Sequence, residues 1–210
     1  MVRLNGLFSS FDNFDQINIE SLASWLKPAP PLVILENYVA NKILYPQTLP
    51  ATQDEMRIDL AILREVIKMS KNKSPFLNIS LRKILIPSSF LRFLPNLINL
   101  TWVFVDSLLM SRKRQDWFED LWTVILTDDR DEVAGSILLP QFKDKNEVME
   151  LEVMDKNYKI RAGSLVVIPC QKDRCEISYK LPKGKILGKG ENAVEVYGGK
   201  LGLMIDGRNQ

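Results

Sequence analysis

Two cysteines, Cys170 and Cys175, and the absence of any histidine frame what chemistry this 210-residue chain could carry out. Without imidazole there is no Ser-His-Asp or Cys-His nucleophile, no His-bearing zinc site and no imidazole general base. The cysteines flank Gln171-Lys172-Asp173-Arg174 and so face each other across a hairpin. They read as two small buried or half-buried thiols, with a conditional cross-strand disulfide as the other outcome. A metal would need two further ligands that no histidine or third cysteine can supply, so no metal site is expected.

The carboxylates suited to magnesium or general-base work are Asp106 and the Asp128-Asp129 pair. Nothing nearby would grip a phosphate, and helix capping and loop solvation account for them. Gly188-Lys189-Gly190 lacks the strand before and helix after that a phosphate loop requires. Lys183, in Pro182-Lys183-Gly184-Lys185, reads as part of a solvated turn rather than as a carrier lysine. Arg112-Lys113-Arg114 is followed at once by Asp116, Glu119 and Asp120, the pattern of a solvated loop entering a helix. Between Glu191 and Arg208, Val194 and Val196 lead into Gly198-Gly199, and Leu201, Leu203 and Ile205 lead out. That pattern predicts a hairpin, with Gly198, Gly199, Gly202 and Gly207 as structural turn residues. No side chain in it is a nucleophile beside a base.

Composition narrows the function classes. The chain is long enough to bury a core without staples, and four tryptophans argue against disorder. Charge is balanced on both sides of Glu132, with 15 basic and 16 acidic residues up to it and 13 and 10 beyond. Neither part carries the basic field of a nucleic-acid binder. The start lacks the pattern of a signal peptide, and apolar runs such as Leu97 to Met110 are too short to span a bilayer. The expectation is a cytoplasmic protein with no membrane partner.

The elements that would position these residues follow in order. Residues 1–20 form a leader carrying Phe8, Phe11 and Phe14, with a short helix beginning at Ile17 and ending near Leu26. A helix over Pro31–Leu44 places Leu32, Leu35, Val39 and Ile43 at helical spacing. Thr52-Gln53-Asp54-Glu55 is a capping box that starts a helix to about Lys71. Arg82 to Pro87 reads as a short buried strand, and Ser88-Ser89 as the cap of a helix over Phe90–Leu97. Thr101-Trp102-Val103-Phe104-Val105 is β-rich and reads as a strand ending at Asp106, with a helix as the alternative. Gln115 to Thr127 reads as a helix stacking Trp117, Phe118, Leu121, Trp122 and Ile125.

Nine of the ten glycines lie after Asp128 to Glu132, so the boundary is placed there. Beyond it, strands are expected at 136–139, 148–154, 158–161, 164–168, 175–180, 194–196 and 203–206. The organisation is a leader (1–20), a helix-rich α/β domain (21–132) and an antiparallel β-module (133–210). The fold class is α+β, an N-terminal helical α/β half-lobe followed by a small antiparallel sandwich or barrel.

Several stretches together resemble one family. Ser164-Leu165-Val166-Val167-Ile168-Pro169 and the Gly198 to Arg208 run resemble the C-terminal signature of the glutamate mutase L family. Leu22-Ala23-Ser24-Trp25-Leu26, Asn41 to Pro50, Leu60-Ala61-Ile62-Leu63-Arg64-Glu65 and Gly135 to Pro140 are similar to the same family in the same order. The resemblance implies the C-terminal part of an actin/Hsp70/sugar-kinase-like ATPase with a β-rich module, in a family thought to help a cobalamin-dependent mutase. Ile86-Pro87-Ser88-Ser89-Phe90 stands where that family has a glycine-rich nucleotide-contacting turn. The reading is therefore a non-catalytic scaffold without a cofactor, acting through a protein partner. The alternative is a nucleotide-binding lobe holding ATP with magnesium near Ser88, Ser89 and Asp106, completed by another chain.

Overall fold

A computed structural model describes residues 16–73, 83–92, 94, 96–109, 121–127, 131–171, 173–182 and 193–208. The fold is α+β: helices dominate the N-terminal part, and mainly antiparallel strands follow. The described residues divide into a helical unit, 16–73 with 87–109, and a β unit, 83–86 with 121–208.

In the helical unit, α1 (Ile19–Ser24) begins at Asn18, whose side chain accepts from the Ser21 amide at 2.8 Å. After the prolines comes α2 (Leu32–Leu44). The capping box opens α3 (Gln53–Lys73): Thr52 Oγ1 accepts from the Glu55 amide at 3.1 Å, and Glu55 Oε2 accepts from the Ala51 amide at 2.6 Å. The first bond satisfies an amide that a helix start leaves unpaired, and the second ties the Glu55 carboxylate to the residue before the cap. The inner face of α3, from Ile58 to Ile67, is buried and packs against α4 (Leu97–Leu109).

That last helix corrects two expectations. Residues 100–105 are helical, not a strand, because Asn96 Oδ1 caps the segment by accepting from the Ile98 and Asn99 amides at 3.0 and 3.2 Å. The Thr101 and Ser107 hydroxyls donate to the Leu97 and Val103 carbonyls, the helical habit of hydroxylated residues. The β propensity of Thr, Val and Phe yields to the cap and to burial of Leu97, Leu100 and Phe104 at helical spacing. The helix expected over 90–97 is instead one 3-10 turn, Ser88–Arg92, and the chain enters α4 only at Leu97.

The β unit holds two sheets. One has five strands in the order β1 (Lys83–Pro87), β2 (Leu121–Thr127), β3 (Glu132–Leu138), β9 (Gly202–Asp206) and β6 (Leu165–Ile168). The other runs β5 (Lys156–Arg161), β4 (Val148–Val153), β7 (Arg174–Lys180) and β8 (Ala193–Tyr197). β2 pairs with β3, β6 with β9, β4 with β5 and with β7, and β7 with β8 in antiparallel fashion, whereas β3 and β9 run parallel. Leu138, Leu203 and Ile205 of the first sheet share one core with Met149, Leu151, Ile177 and Val196 of the second, which makes the unit a sandwich.

Three further expectations change here. The helix expected over 115–127 is a strand from Leu121 on, with Trp122, Val124 and Leu126 buried in strict alternation; its first residues, Trp117 and Phe118 among them, lie outside the described set. The composition change at 128–132 falls between the paired strands β2 and β3 of one sheet, both in the β unit, so it does not separate the two units. And Gly198-Gly199 does not close a hairpin. β8 pairs with β7 in one sheet and β9 with β3 and β6 in the other, so the glycines carry the chain across the sandwich.

Candidate functional site

The Gly198 to Arg208 run is built for close backbone approach. Gly199 and Gly202 sit at φ of +129° and +73°, and a Cβ on either would come within 2.8 Å of the Ala134 and Val133 carbonyls or 2.5 Å of the Ile168 carbonyl. Gly207 faces the Phe142 ring in the same way, at 2.7 Å, and its amide donates to the Ser164 carbonyl at 2.9 Å. The buried Asp206 carboxylate accepts from both the backbone and the guanidinium of Arg208. Gly198 is also buried, its amide donating to the Asp173 carbonyl at 3.4 Å. All four predicted turn glycines thus lie in the β unit, Gly198, Gly199 and Gly202 on the crossover into β9 and Gly207 just after it. Cys170 and Cys175 are buried and joined as a disulfide, and the Cys170 carbonyl accepts from the Gly199 amide at 2.8 Å.

In the helical unit, Asp106 belongs to α4 and not to a strand end. Its carboxylate is paired with Arg64 of α3 at 3.0 Å, and that guanidinium lies 5.5 Å from the Trp25 ring. Next to Arg64, Glu65 is 4% exposed, and its Oε1 accepts from Trp25 Nε1 at 2.6 Å, the Ser21 hydroxyl at 2.9 Å and Lys68 at 3.3 Å. Ser88 and Ser89 lie on the 3-10 turn, where the Ser89 side chain is outside the described set. Among the described residues, no group of three His, Cys, Asp or Glu could hold a metal. No described helix is long and apolar enough to cross a membrane.

A second polar cluster holds α2 to α3. Lys42 and Asp59, both almost fully buried, pair at 2.9 Å; Lys42 also donates to the Thr48 carbonyl, and the Tyr38 hydroxyl donates to Asp59 at 2.9 Å. Burial pushes the Asp59 carboxyl up, with the hydrogen bonds from Lys42 and Tyr38 pulling it back down. Burial, and then the charge of Asp59, push the Tyr38 phenol far above its ordinary value of 10.0.

No known protein family, curated protein or solved structure matches this chain.

The outer face of α2 is the feature that packing leaves over. Leu35, Val39 and Lys42 point inward, while Leu32, Val33, Ile34, Ile43, Leu44, Tyr45 and Leu49 are exposed, Leu44 to 69%. This corrects the expected inward stripe, in which Leu32 and Ile43 stood with Leu35 and Val39; Lys42 takes the inner place and the two flanking residues face water. The signal for it was in the sequence. Leu32-Val33-Ile34-Leu35 are four consecutive apolar residues, and a helix turning 100° per residue cannot direct all four inward.

Proposed function

We propose that this protein is a non-catalytic scaffold that works by holding another macromolecule against the exposed face of α2. The exposed apolar residues on and just after α2, Leu32 to Leu49, carry the reading, since large apolar side chains gathered at a surface mark interaction sites. It is supported by what the conspicuous polar side chains do instead of chemistry. Asp106, Glu65, Asp59 and Asp206 are each engaged by a cation within the chain, and the motif glycines serve backbone packing. The resemblance to the C-terminal part of glutamate mutase L makes a cobalamin-dependent mutase one candidate client.

The test is affinity capture from native cells with the wild-type chain and with Val33→Glu and Leu44→Glu. Both substitutions place charge on exposed positions of a helix and leave its inner face intact. A protein retained by the wild type and released by both variants supports the reading. A bound set unchanged by either substitution overturns it.

A further inference from the structure

We propose that Cys170 and Cys175 form a redox latch on the β sandwich: joined, they fix the connection from β6 to β7, and separated as thiols they release it together with the Gly198 and Gly199 amides that rest on it.

The bond sits where the chain changes sheets. Cys170 follows β6 of the five-stranded sheet by two residues, and Cys175 is the second residue of β7 in the other sheet. The return passage, from β8 to β9, lies against this one. The Gly199 amide donates to the Cys170 carbonyl at 2.8 Å and the Gly198 amide to the Asp173 carbonyl at 3.4 Å, while Arg174 pairs with Glu195 at 3.3 Å and its guanidinium lies 5.4 Å from the Tyr197 ring. A Cβ on Gly202 would stand 3.1 Å from the Cys170 amide nitrogen. One covalent bond therefore sets the position of carbonyls that the return passage leans on. That passage also has a separate anchorage on β3, since the Tyr197 amide donates to Ser136 Oγ at 2.8 Å and the Leu201 amide to the Ala134 carbonyl at 2.7 Å. Breaking the disulfide leaves that anchorage in place.

Both oxidation states suit this position. Cys170 and Cys175 are 1% and 5% exposed within the sandwich core, where two thiols pack as small apolar groups. With a sequence separation of 5, the sulfurs stay within reach of each other when the bond is open, so closing it needs no long-range search. Gln171, Asp173 and Arg174 between them are exposed, so local opening of that short connection admits a thiolate while the sheets stay paired. The chain has no third cysteine to take up the exchange, and the partner is an external thiol. A pair of monothiol molecules such as glutathione supplies the two electrons and two protons: the Cys170–Cys175 bond breaks, each sulfur leaves as a thiol, and the reductant molecules join through their own sulfurs.

Amide hydrogen exchange read by NMR on the folded chain, equilibrated with reduced or with oxidised glutathione, tests this, and alkylation followed by intact mass counts the thiols in each sample. The expected result is no alkylated cysteine in the oxidised sample and both alkylated in the reduced one. Exchange at Gly198 and Gly199 should quicken at least tenfold on reduction, while Tyr197, Leu201 and the amides paired between β4 and β5 keep their rates. Cys170→Ala/Cys175→Ala should show the fast rates in both buffers. Thiols that never join under oxidised glutathione, a bond that opens only in unfolding urea, or Gly198 and Gly199 rates indifferent to reduction overturn the latch. So does quickening spread evenly over the β unit, or a double variant whose rates still follow the buffer.

Discussion

The indole of Trp25 donates to the carboxylate of Glu65 at 2.6 Å, joining α1 to α3 across 40 residues of chain. Glu65 Oε1 receives the Ser21 hydroxyl and Lys68 as well, so one oxygen organises three donors from two helices. Lys68 also donates to Ser21 at 3.2 Å, which closes the cluster on itself.

Truncating Glu65 should strand those donors in a buried place. Glu65→Ala is expected to destabilise the helical unit by about 2–4 kcal/mol, and Glu65→Gln, which keeps an acceptor, by less than half of that. Urea unfolding followed by Trp25 fluorescence measures both. Equal losses for the two variants would show that the site does not depend on an acceptor at that position.

Lys42 and Asp59 form a buried ion pair, whose value lies in being complete. Lys42→Met leaves a buried carboxylate without its ammonium and is expected to cost about 3–5 kcal/mol, whereas Lys42→Met combined with Asp59→Leu should recover most of the loss. Thermal or urea denaturation of the double-mutant cycle decides it. Additive losses would mean the two side chains act independently.

The Tyr38 phenol is held protonated by burial and by Asp59, so its folded pKa lies well above the unfolded value of 10.0. A group with a raised folded pKa stabilises fully below its unfolded pKa and loses that contribution as pH rises beyond it. The stability difference between wild type and Tyr38→Phe should therefore be flat up to about pH 9 and change, against the wild type, above pH 10. Absorbance titration near 295 nm should show at least one fewer ionising tyrosine in the folded wild type at pH 11 than after unfolding; full ionisation before unfolding would contradict the geometry.

Gly163 and Gly202 have nearly the same positive φ, +80° and +73°, but different surroundings. A Cβ at Gly163 meets nothing within 4 Å, while one at Gly202 collides with backbone of Ile168 and Cys170. Gly163→Ala should cost only the left-handed strain of about 1–2 kcal/mol. Gly202→Ala should cost clearly more, since backbone cannot move aside as a flexible side chain can, and comparison of the two urea midpoints reads the difference.

Asp106 is engaged by Arg64, which bears on the nucleotide alternative. Isothermal titration of the chain with ATP and magnesium is expected to give no heat of binding. Saturable heat that disappears in Asp106→Asn would instead restore Ser88 and Asp106 to a nucleotide site.

What the amino-acid order determined by itself is whatever depends on neighbours a few residues away. The capping box at Thr52–Glu55, the helices at 19–24, 32–44 and 53–73, and the strands from Val148 onward were all legible, because caps and side-chain periodicity are local. Two local readings failed for want of long-range information. Residues 100–105 have strand-forming side chains, but the Asn96 cap and the packing of α4 on α3 make them a helix, and Leu121–Thr127 becomes a strand because β3 is there to pair with it. Only the tertiary structure decided that Gly198-Gly199 crosses between sheets: a hairpin and a crossover need the same glycines, and the choice depends on which edges β3, β6 and β7 offer. It likewise decided which side of α2 faces water, since a helix with apolar residues around most of its circumference takes its orientation from the partner it packs on. Here α2 packs on α1, while Lys42 and Tyr38 reach Asp59 of α3, and Leu32 and Leu44 are left facing outward.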